Sequence, residues 1–210
     1  MSFPKSSPLA SRFDWVATTG STNTDLLASA KAQTSDFGHF SVLVAAEQTA
    51  GRGRSGREWQ APAGSSLFVS VLLRPGTVPA TQFAWLPLIA GLAMANAVSQ
   101  FAASQRATVK WPNDVLVNDA KIAGVLVQLV NSDSVVIGVG INTSMTLEQR
   151  PITTATSLAI EGVVDFDHPQ LLMSILGHLG ELVGPIEGEG SWPSEVLDEY
   201  RALSSTVGRK

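Results

Sequence analysis

With 210 residues the chain is long enough to bury a substantial core as one domain, and its formal net charge of −4 excludes a protein that coats nucleic acid, which needs a basic excess. It contains no cysteine, which excludes disulfides, cysteine zinc sites and thiol nucleophiles. The opening "MSFPKSSPLASRF" lacks an apolar core of signal-peptide length, and the longest apolar stretch, 84–98, is interrupted by Pro87 and Asn96 and is too short to span a bilayer, so a cytoplasmic setting without membrane contact is expected.

No repeat, low-complexity tract or shift in composition marks a boundary, so residues 1–210 read as a single domain. "TGSTNTDLLASAKA" has the form of a helix start: Ser21 or Thr22 caps, and Leu26, Leu27 and Ala30 make an apolar stripe. "SVLVAA", 41–46, is a β-branched run that ends at a glycine-rich stretch, and "SSLFVSVLL", 65–73, is a second strand after it. Apolar residues on nearly every side between Gln82 and Phe101 predict a buried helix. "TVKWPNDVLV" predicts a short strand, a Pro-Asn-Asp turn and another extended piece. "KIAGVLVQLV" and "SVVIGVGIN" follow as two strands about the polar turn 131–134, and 143–154 read as a loop. "HPQLLMSILGHLGELVG" is an amphipathic helix with Leu171, Leu172, Ile175, Leu176 and Leu179 on its apolar face, and "PSEVLDEYRAL" is a last helix. Strands in the middle with helices interspersed give an α+β chain: a mixed, mostly antiparallel central sheet with flanking helices.

The stretch "AGRGRSGREW", 50–59, holds a literal G-x-G-x-x-G at Gly51, Gly53 and Gly56, with Arg52, Arg54 and Arg57 set among them. A dinucleotide loop must open a helix whose N-terminus faces the pyrophosphate, whereas Pro62, Gly64 and a strand come next here. A protein kinase does place such a loop between strands, but its lysine strand, H-R-D and D-F-G are missing, and so is a Walker A pattern. Three arginines concentrated in an acidic chain point to a small anion rather than a long polyanion. A charged surface loop would explain the stretch if it stood alone. It does not: "VKWPNDVLV" sets Lys110, Trp111, Asn113 and Asp114 around a turn, and Lys121 enters an otherwise apolar strand eleven residues after Lys110.

"TGSTNTDLL", "EQTAGRGRSGREW", "VKWPNDVLVNDAKIAGVLVQ" and "VVIGVGINT", followed by "ATSL" at 155–158, occur in the order and approximate spacing seen in biotin protein ligases. Over about residues 15–201 the chain resembles the catalytic domain of that family. The resemblance implies a class II synthetase-like biotin/lipoate ligase fold and a two-step reaction with biotin and ATP as substrates. Biotin and ATP give biotinyl-5′-AMP and pyrophosphate, and a lysine of a biotin carboxyl carrier protein domain then takes the biotinyl group. Joining a carboxylate to an α-phosphate brings two anions together, which fixed cations and oriented N–H groups offset.

By the same resemblance, Ser21, Thr22 and Asn23 form the polar turn beside the biotin ring system, and Gln48, Arg52, Gly53 and Arg54 belong to the loop that closes over biotin and the adenylate. Gly124 joins the biotin-binding set. Lys121 matches the lysine close to the biotin carboxyl, where an ammonium can hold the carboxylate and then stabilise charge on the acyl oxygen. Lys110 is implied to neutralise phosphate, Trp59 to pack under adenine, and Arg57, Asn113 and Asn142 to belong to the ATP and adenylate set. Asp114 is implied to orient or deprotonate the incoming amine. Lys121, Arg54, Lys110 and Asp114 are thus the catalytic candidates. A stabilising role for the loop or the turn would also account for Arg57 and Asn142, and Trp111 and Pro112 are read as structural. His39, His168 and His178 show no ligand spacing with carboxylates, so no metal site is expected in the free protein and Mg²⁺ is expected to arrive with ATP.

Some members of the family carry an N-terminal winged helix-turn-helix; here the motifs begin by residue 20, so neither that domain nor a nucleic-acid partner is expected. Bacterial members usually continue into an SH3-like barrel, and "SSTVGRK" stands about where it would begin, so the barrel is expected to be absent. A homodimer through exposed sheet edges is compatible with the pattern. Of the rivals, an octanoyltransferase needs a cysteine, and a lipoate-type ligase has a different glycine-rich loop. A non-catalytic biotin- or nucleotide-binding protein would keep the loop and is free to lose Lys121 or Asp114.

Overall fold

The computed structural model describes residues 7–32, 36–76, 78–102, 106–163, 165–189 and 191–208; residues 1–6 of the opening stretch and the final two of "SSTVGRK" lie outside these. Seven strands, β1 (Arg12–Thr19), β2 (Ser41–Gln48), β3 (Ser66–Leu73), β4 (Thr108–Lys110), β5 (Asp114–Val117), β6 (Ala120–Leu129) and β7 (Val135–Asn142), make one sheet in the order β1-β2-β3-β7-β6-β5-β4. β1 and β2 are parallel and every other pairing is antiparallel, so the sheet is mixed and mostly antiparallel. The parallel pair needs a crossover, and helix α1 (Thr22–Lys31) supplies it.

β1 is an element that the sequence reading lacks. It is an edge strand with half-buried and exposed residues mixed along it, so "RFDWVATT" has no clean alternation to detect. The cap reading also needs correction. Ser21 stands at the N-cap of α1 in an extended conformation, but its side chain makes no capping hydrogen bond. The helix read from Gln82 begins as a 3-10 turn, Ala80–Trp85, before α2 (Leu86–Phe101). Together these 22 residues are long and apolar enough to cross a bilayer, contrary to the length argument above, but most of the stretch is buried inside the protein.

The two faces of the sheet differ. Odd-numbered residues of β3 and β7, Leu67, Val69, Val71, Ile137, Val139 and Ile141, enter the main core under α2, α3 (His168–Glu189) and α4 (Ser194–Leu203). The expected apolar face of α3, Leu171, Leu172, Ile175, Leu176 and Leu179, is buried there. Each fully buried side chain of that size contributes about 1.5–3 kcal/mol. At the start of α3, His168 packs against Phe166 with ring centroids 4.7 Å apart, and burial holds its pKa below the usual histidine range.

On the opposite face, α1 packs Leu26 and Ala30 against Leu72 and Val136 and covers only part of the sheet. Beyond it, the even-numbered positions turn small: Ser70, Gly138, Gly140 and Gly124. Pairing aligns them into rows. One row runs Phe68, Gly140, Gly124, Asp114, Lys110 across five strands, and the next runs Ser70, Gly138, Leu126. The sheet is therefore low where α1 leaves it open.

Candidate active site

A cavity of about 340 Å³ lies on that low face, within the range of small-ligand sites. It is lined by Ser21, Thr22 and Asn23 from the start of α1 and by Gln48 at the end of β2. The loop after β2 adds Arg52, Gly53, Arg54, Arg57 and Trp59, the strands β4 to β6 add Lys110, Asp114, Lys121 and Gly124, and the turn between β4 and β5 adds Asn113. The structure thus brings together every sequence-derived site residue except Asn142, which is not among the lining residues. Asn142 is buried at the end of β7, where its Nδ2 donates to Thr156 O at 2.9 Å and its Oδ1 accepts from Ser66 Oγ at 3.2 Å. Those bonds tie β7 to the segment after the 143–154 loop, so its place in this structure is structural.

The cavity has a polar wall. Gln48 Oε1 accepts from the backbone N–H of Thr22 at 2.8 Å and from its hydroxyl at 3.0 Å. Asn23 Nδ2 donates to Leu126 O at 3.1 Å and to Gln128 Oε1 at 3.0 Å. Ser70, fully buried on β3, reaches both helix residues, 2.8 Å from Thr22 Oγ1 and 2.7 Å from Asn23 Oδ1. Gly138 makes room for this wall: a Cβ there would lie 2.2 Å from Asn23 Oδ1.

The glycine loop is a short hairpin. Trp59 N donates to Gly51 O at 3.0 Å, Gly53 N donates to Arg57 O at 2.7 Å, and Arg52 bridges Glu58 in antiparallel fashion. Glycine is required at Gly56, whose φ is +74°, and at Gly51, where a Cβ would stand 2.6 Å from Trp59 O. The hairpin lays the Trp59 indole on the sheet: Cβ atoms added at Gly124 and Gly140 would lie 2.7 and 2.9 Å from it. The Nε1 of Trp59 is buried with no hydrogen-bond partner among the described residues. Arg54 reaches across to Asn113, Nη1 to Oδ1 at 3.4 Å, and Asn113 Nδ2 donates to Val125 O at 2.9 Å.

Lys121 is held at both its side chain and its backbone. Its Nζ lies 2.7 Å from Asp114 Oδ1 and 5.2 Å from the Trp59 ring centroid. Its backbone N–H donates to Thr154 O at 2.7 Å, and its C=O accepts from Thr156 N at 2.8 Å. The rim carries Arg52, Arg54, Arg57 and Lys110, all exposed, so a chain of net charge −4 presents a cationic mouth here. Among the described residues no group of three His, Cys, Asp or Glu side chains is placed to hold a metal ion. His39 Nδ1 accepts from Arg74 N, and His178 pairs with Gln100 and Glu181.

Sequence reading missed Ser70, Phe68, Gly138 and Gly140. Glycines at alternate positions of the run "VVIGVGIN" were a usable signal, since a strand glycine often marks close approach of another group. Trp111, read as structural, also lines the cavity. Its side chain is 60% exposed at the cavity rim, in the turn joined by the cis Trp111–Pro112 bond.

The model of the biotin/lipoate A/B protein ligase family matches residues 15–142. The chain is 41% identical over 201 residues to the biotin–[acetyl-CoA-carboxylase] ligase of Mycobacterium tuberculosis, covering 95% of this chain and 73% of that protein. It superposes on the biotin protein ligase from Aquifex aeolicus in complex with biotin and ATP with a TM-score of 0.77 at 29% identity, over 94% of this chain and 80% of that one. The Leishmania major enzyme in complex with biotinyl-5-AMP gives 0.76 at 25% identity, over 95% and 83%. The chain spans about half the length of the bifunctional ligase/repressor relatives that it also matches. The mixed sheet with helices on its faces is the class II synthetase-like fold of these enzymes. On the family match and the Mycobacterium relative together, the chain belongs to the biotin/lipoate A/B protein ligase family.

Proposed function

We propose that the chain is an ATP-dependent biotin protein ligase that makes biotinyl-5′-AMP and passes the biotinyl group to a lysine of a biotin carboxyl carrier domain. The observation that carries the reading is the order of groups along the strands. The polar wall stands over Gly138, opposite Leu126, and the Lys121 ammonium turns back over Gly124. Positions two residues apart on a strand are about 7 Å apart, so the site suits an elongated acid with a hydrogen-bonding head group and a carboxylate at its far end.

In the first step a carboxylate oxygen of biotin attacks the α-phosphorus of ATP, and the bond to the β-phosphate breaks to release pyrophosphate. Lys121 holds the carboxylate against its partner, while Arg52, Arg54 and Lys110 meet the phosphates at the mouth. Mg²⁺ arriving with ATP would neutralise part of the phosphate charge, beside the cations Arg52, Arg54 and Lys110 that line the mouth. In the second step the carrier amine attacks the acyl carbon and AMP leaves. That amine is mostly protonated at neutral pH, and the Asp114 carboxylate is the group beside the acyl position that orients it and takes its proton.

The test uses the purified chain with biotin, labelled ATP and an apo carrier domain. Pyrophosphate release and a biotin-sized mass increase on one carrier lysine are expected. Transfer of lipoate in place of biotin, or tight biotin binding without pyrophosphate, would overturn the reading.

A further inference from the structure

We infer that the exposed tip of the β4–β5 hairpin, Trp111 with Val207 beside it, is the surface on which the carrier domain docks; the inference rests on the proposed transfer of biotin to a carrier lysine. Lys110 and Asp114 are the last pair of that hairpin, so Trp111, Pro112 and Asn113 form its turn and stand directly beyond the Asp114–Lys121 ion pair. Trp111 is 60% exposed and Val207 49%. Trp111 N donates to Thr206 Oγ1 at 3.2 Å, which sets Val207 on the segment alongside. The tip is fixed from both sides. Ser205 N donates to Val109 O at 2.8 Å, and Asn113 exchanges two bonds with Val125, its O accepting from Val125 N and its Nδ2 donating to Val125 O, each at 2.9 Å. An aromatic side chain on so fixed a backbone loses little freedom when a partner covers it.

The carrier amine must come within hydrogen-bond reach of Asp114, and a lysine has only its four-carbon stem to get there. The carrier backbone therefore stands at the mouth, within one side chain of the hairpin tip. By then the adenylate is in place and, in the proposed mechanism, Arg52, Arg54 and Lys110 face its phosphate. The exposed groups beside Asp114 that the nucleotide does not engage are apolar, Trp111 and Val207. Strand addition is not open to a partner along β4, because Ser204 bridges Val109 in parallel and Ser205 bonds to it. The contact is thus made through side chains, and the carrier face that fits it has an apolar group adjoining the acceptor lysine. Trp111 is the aromatic anchor of that contact, the kind of residue on which binding energy concentrates.

The experiment compares biotin transfer to an apo carrier domain with transfer to hydroxylamine. Hydroxylamine attacks the acyl carbon of the adenylate, gives the hydroxamate with loss of AMP, and needs no docking surface. Val207→Asp is expected to raise the KM for the carrier about tenfold, while biotin-dependent ATP–pyrophosphate exchange and hydroxamate formation stay within about twofold. Trp111→Ala is expected to raise the carrier KM at least as much, relative to hydroxamate formation by the same variant, and Trp111→Phe to recover most of the loss. Because only folded, adenylating protein forms hydroxamate, that reaction also normalises a variant that folds poorly. An unchanged carrier KM in both Val207→Asp and Trp111→Ala, or a loss shared in full by hydroxamate formation, would overturn the docking role. A parent dimer that Val207→Asp dissociates would also overturn it, by assigning the patch to a second copy of the chain. Failure of the parent to biotinylate the carrier would instead overturn the proposed biotin transfer itself.

Discussion

Asp114 Oδ1 lies 2.7 Å from Lys121 Nζ, and the two side chains are equally exposed, at 29% each. The pair joins β5 to β6 on the cavity face, one residue type from each step of the proposed chemistry. While Lys121 engages a carboxylate substrate, it exchanges one carboxylate partner for two, and Asp114 is placed to meet the amine that arrives next. In the proposed mechanism one ion pair thus serves both steps.

Lys121→Met preserves the stem that crosses Gly124 and removes only the ammonium. Adenylate formation, measured as biotin-dependent pyrophosphate release, is expected to fall by about 100-fold or more, the usual cost of losing one group that stabilises transition-state charge. A rate within a few-fold of the parent would remove Lys121 from the mechanism.

Arg54→Gly cuts the contact between the loop hairpin and Asn113 and removes one of the mouth cations. Biotinyl-5′-AMP is expected to leave about tenfold faster, as for the loss of a charged hydrogen bond. Rapid mixing of the preformed complex with excess biotin measures the release, and an unaltered off-rate argues against a latch.

Gly140→Ala places a methyl 2.9 Å from the Trp59 indole, so the indole or the strand has to move. Since the strand is central and the loop is not, the hairpin is expected to lift. Overpacking costs about 1–3 kcal/mol, enough to raise the open population of the loop roughly fivefold or more. Trypsin, which cuts after Arg52, Arg54 and Arg57, should then cleave the variant correspondingly faster, whereas equal cleavage would show that the strand yields instead.

His168 provides a pH dependence. Burial lowers its folded-state pKa, so the unfolded chain takes up the proton first as the pH drops. The stability contributed by the neutral ring is complete above the unfolded pKa of about 6.5 and is lost as the pH falls through the lower folded value. Melting temperatures of the parent should therefore drop more steeply than those of His168→Phe between neutral and mildly acid pH. Parallel curves for the two proteins would assign the acid sensitivity to other groups.

Much of this site was legible in the sequence because its polar residues interrupt apolar patterns. Lys121 at a strand entrance, the Lys110 to Asp114 turn and the arginine-glycine loop each stand out from their surroundings, and all converge on one cavity. What was not legible is set by pairing across strands. Nothing local says that Ser70 lies opposite Gly138, or that Trp59 rests on Gly124 and Gly140; register and loop closure decide both. Ser21 shows the limit from the other side: it marks the helix start correctly, yet its side chain does not cap. Asn142 shows it again, since an asparagine beside a ligand and one that ties a strand end to a loop look alike until their partners are known.

Both peptide groups of Lys121 are bound to the segment at 154–156, its N–H to Thr154 and its C=O to Thr156. The reach of the ammonium into the cavity is therefore calibrated by a stretch of chain that contributes no lining residue of its own. Inserting or deleting residues in the 143–154 loop, ordinarily the most forgiving kind of change at a surface, would retune this enzyme as surely as an edit inside its cavity. Grafts of that loop between relatives should be chosen with the partners of position 121 kept intact.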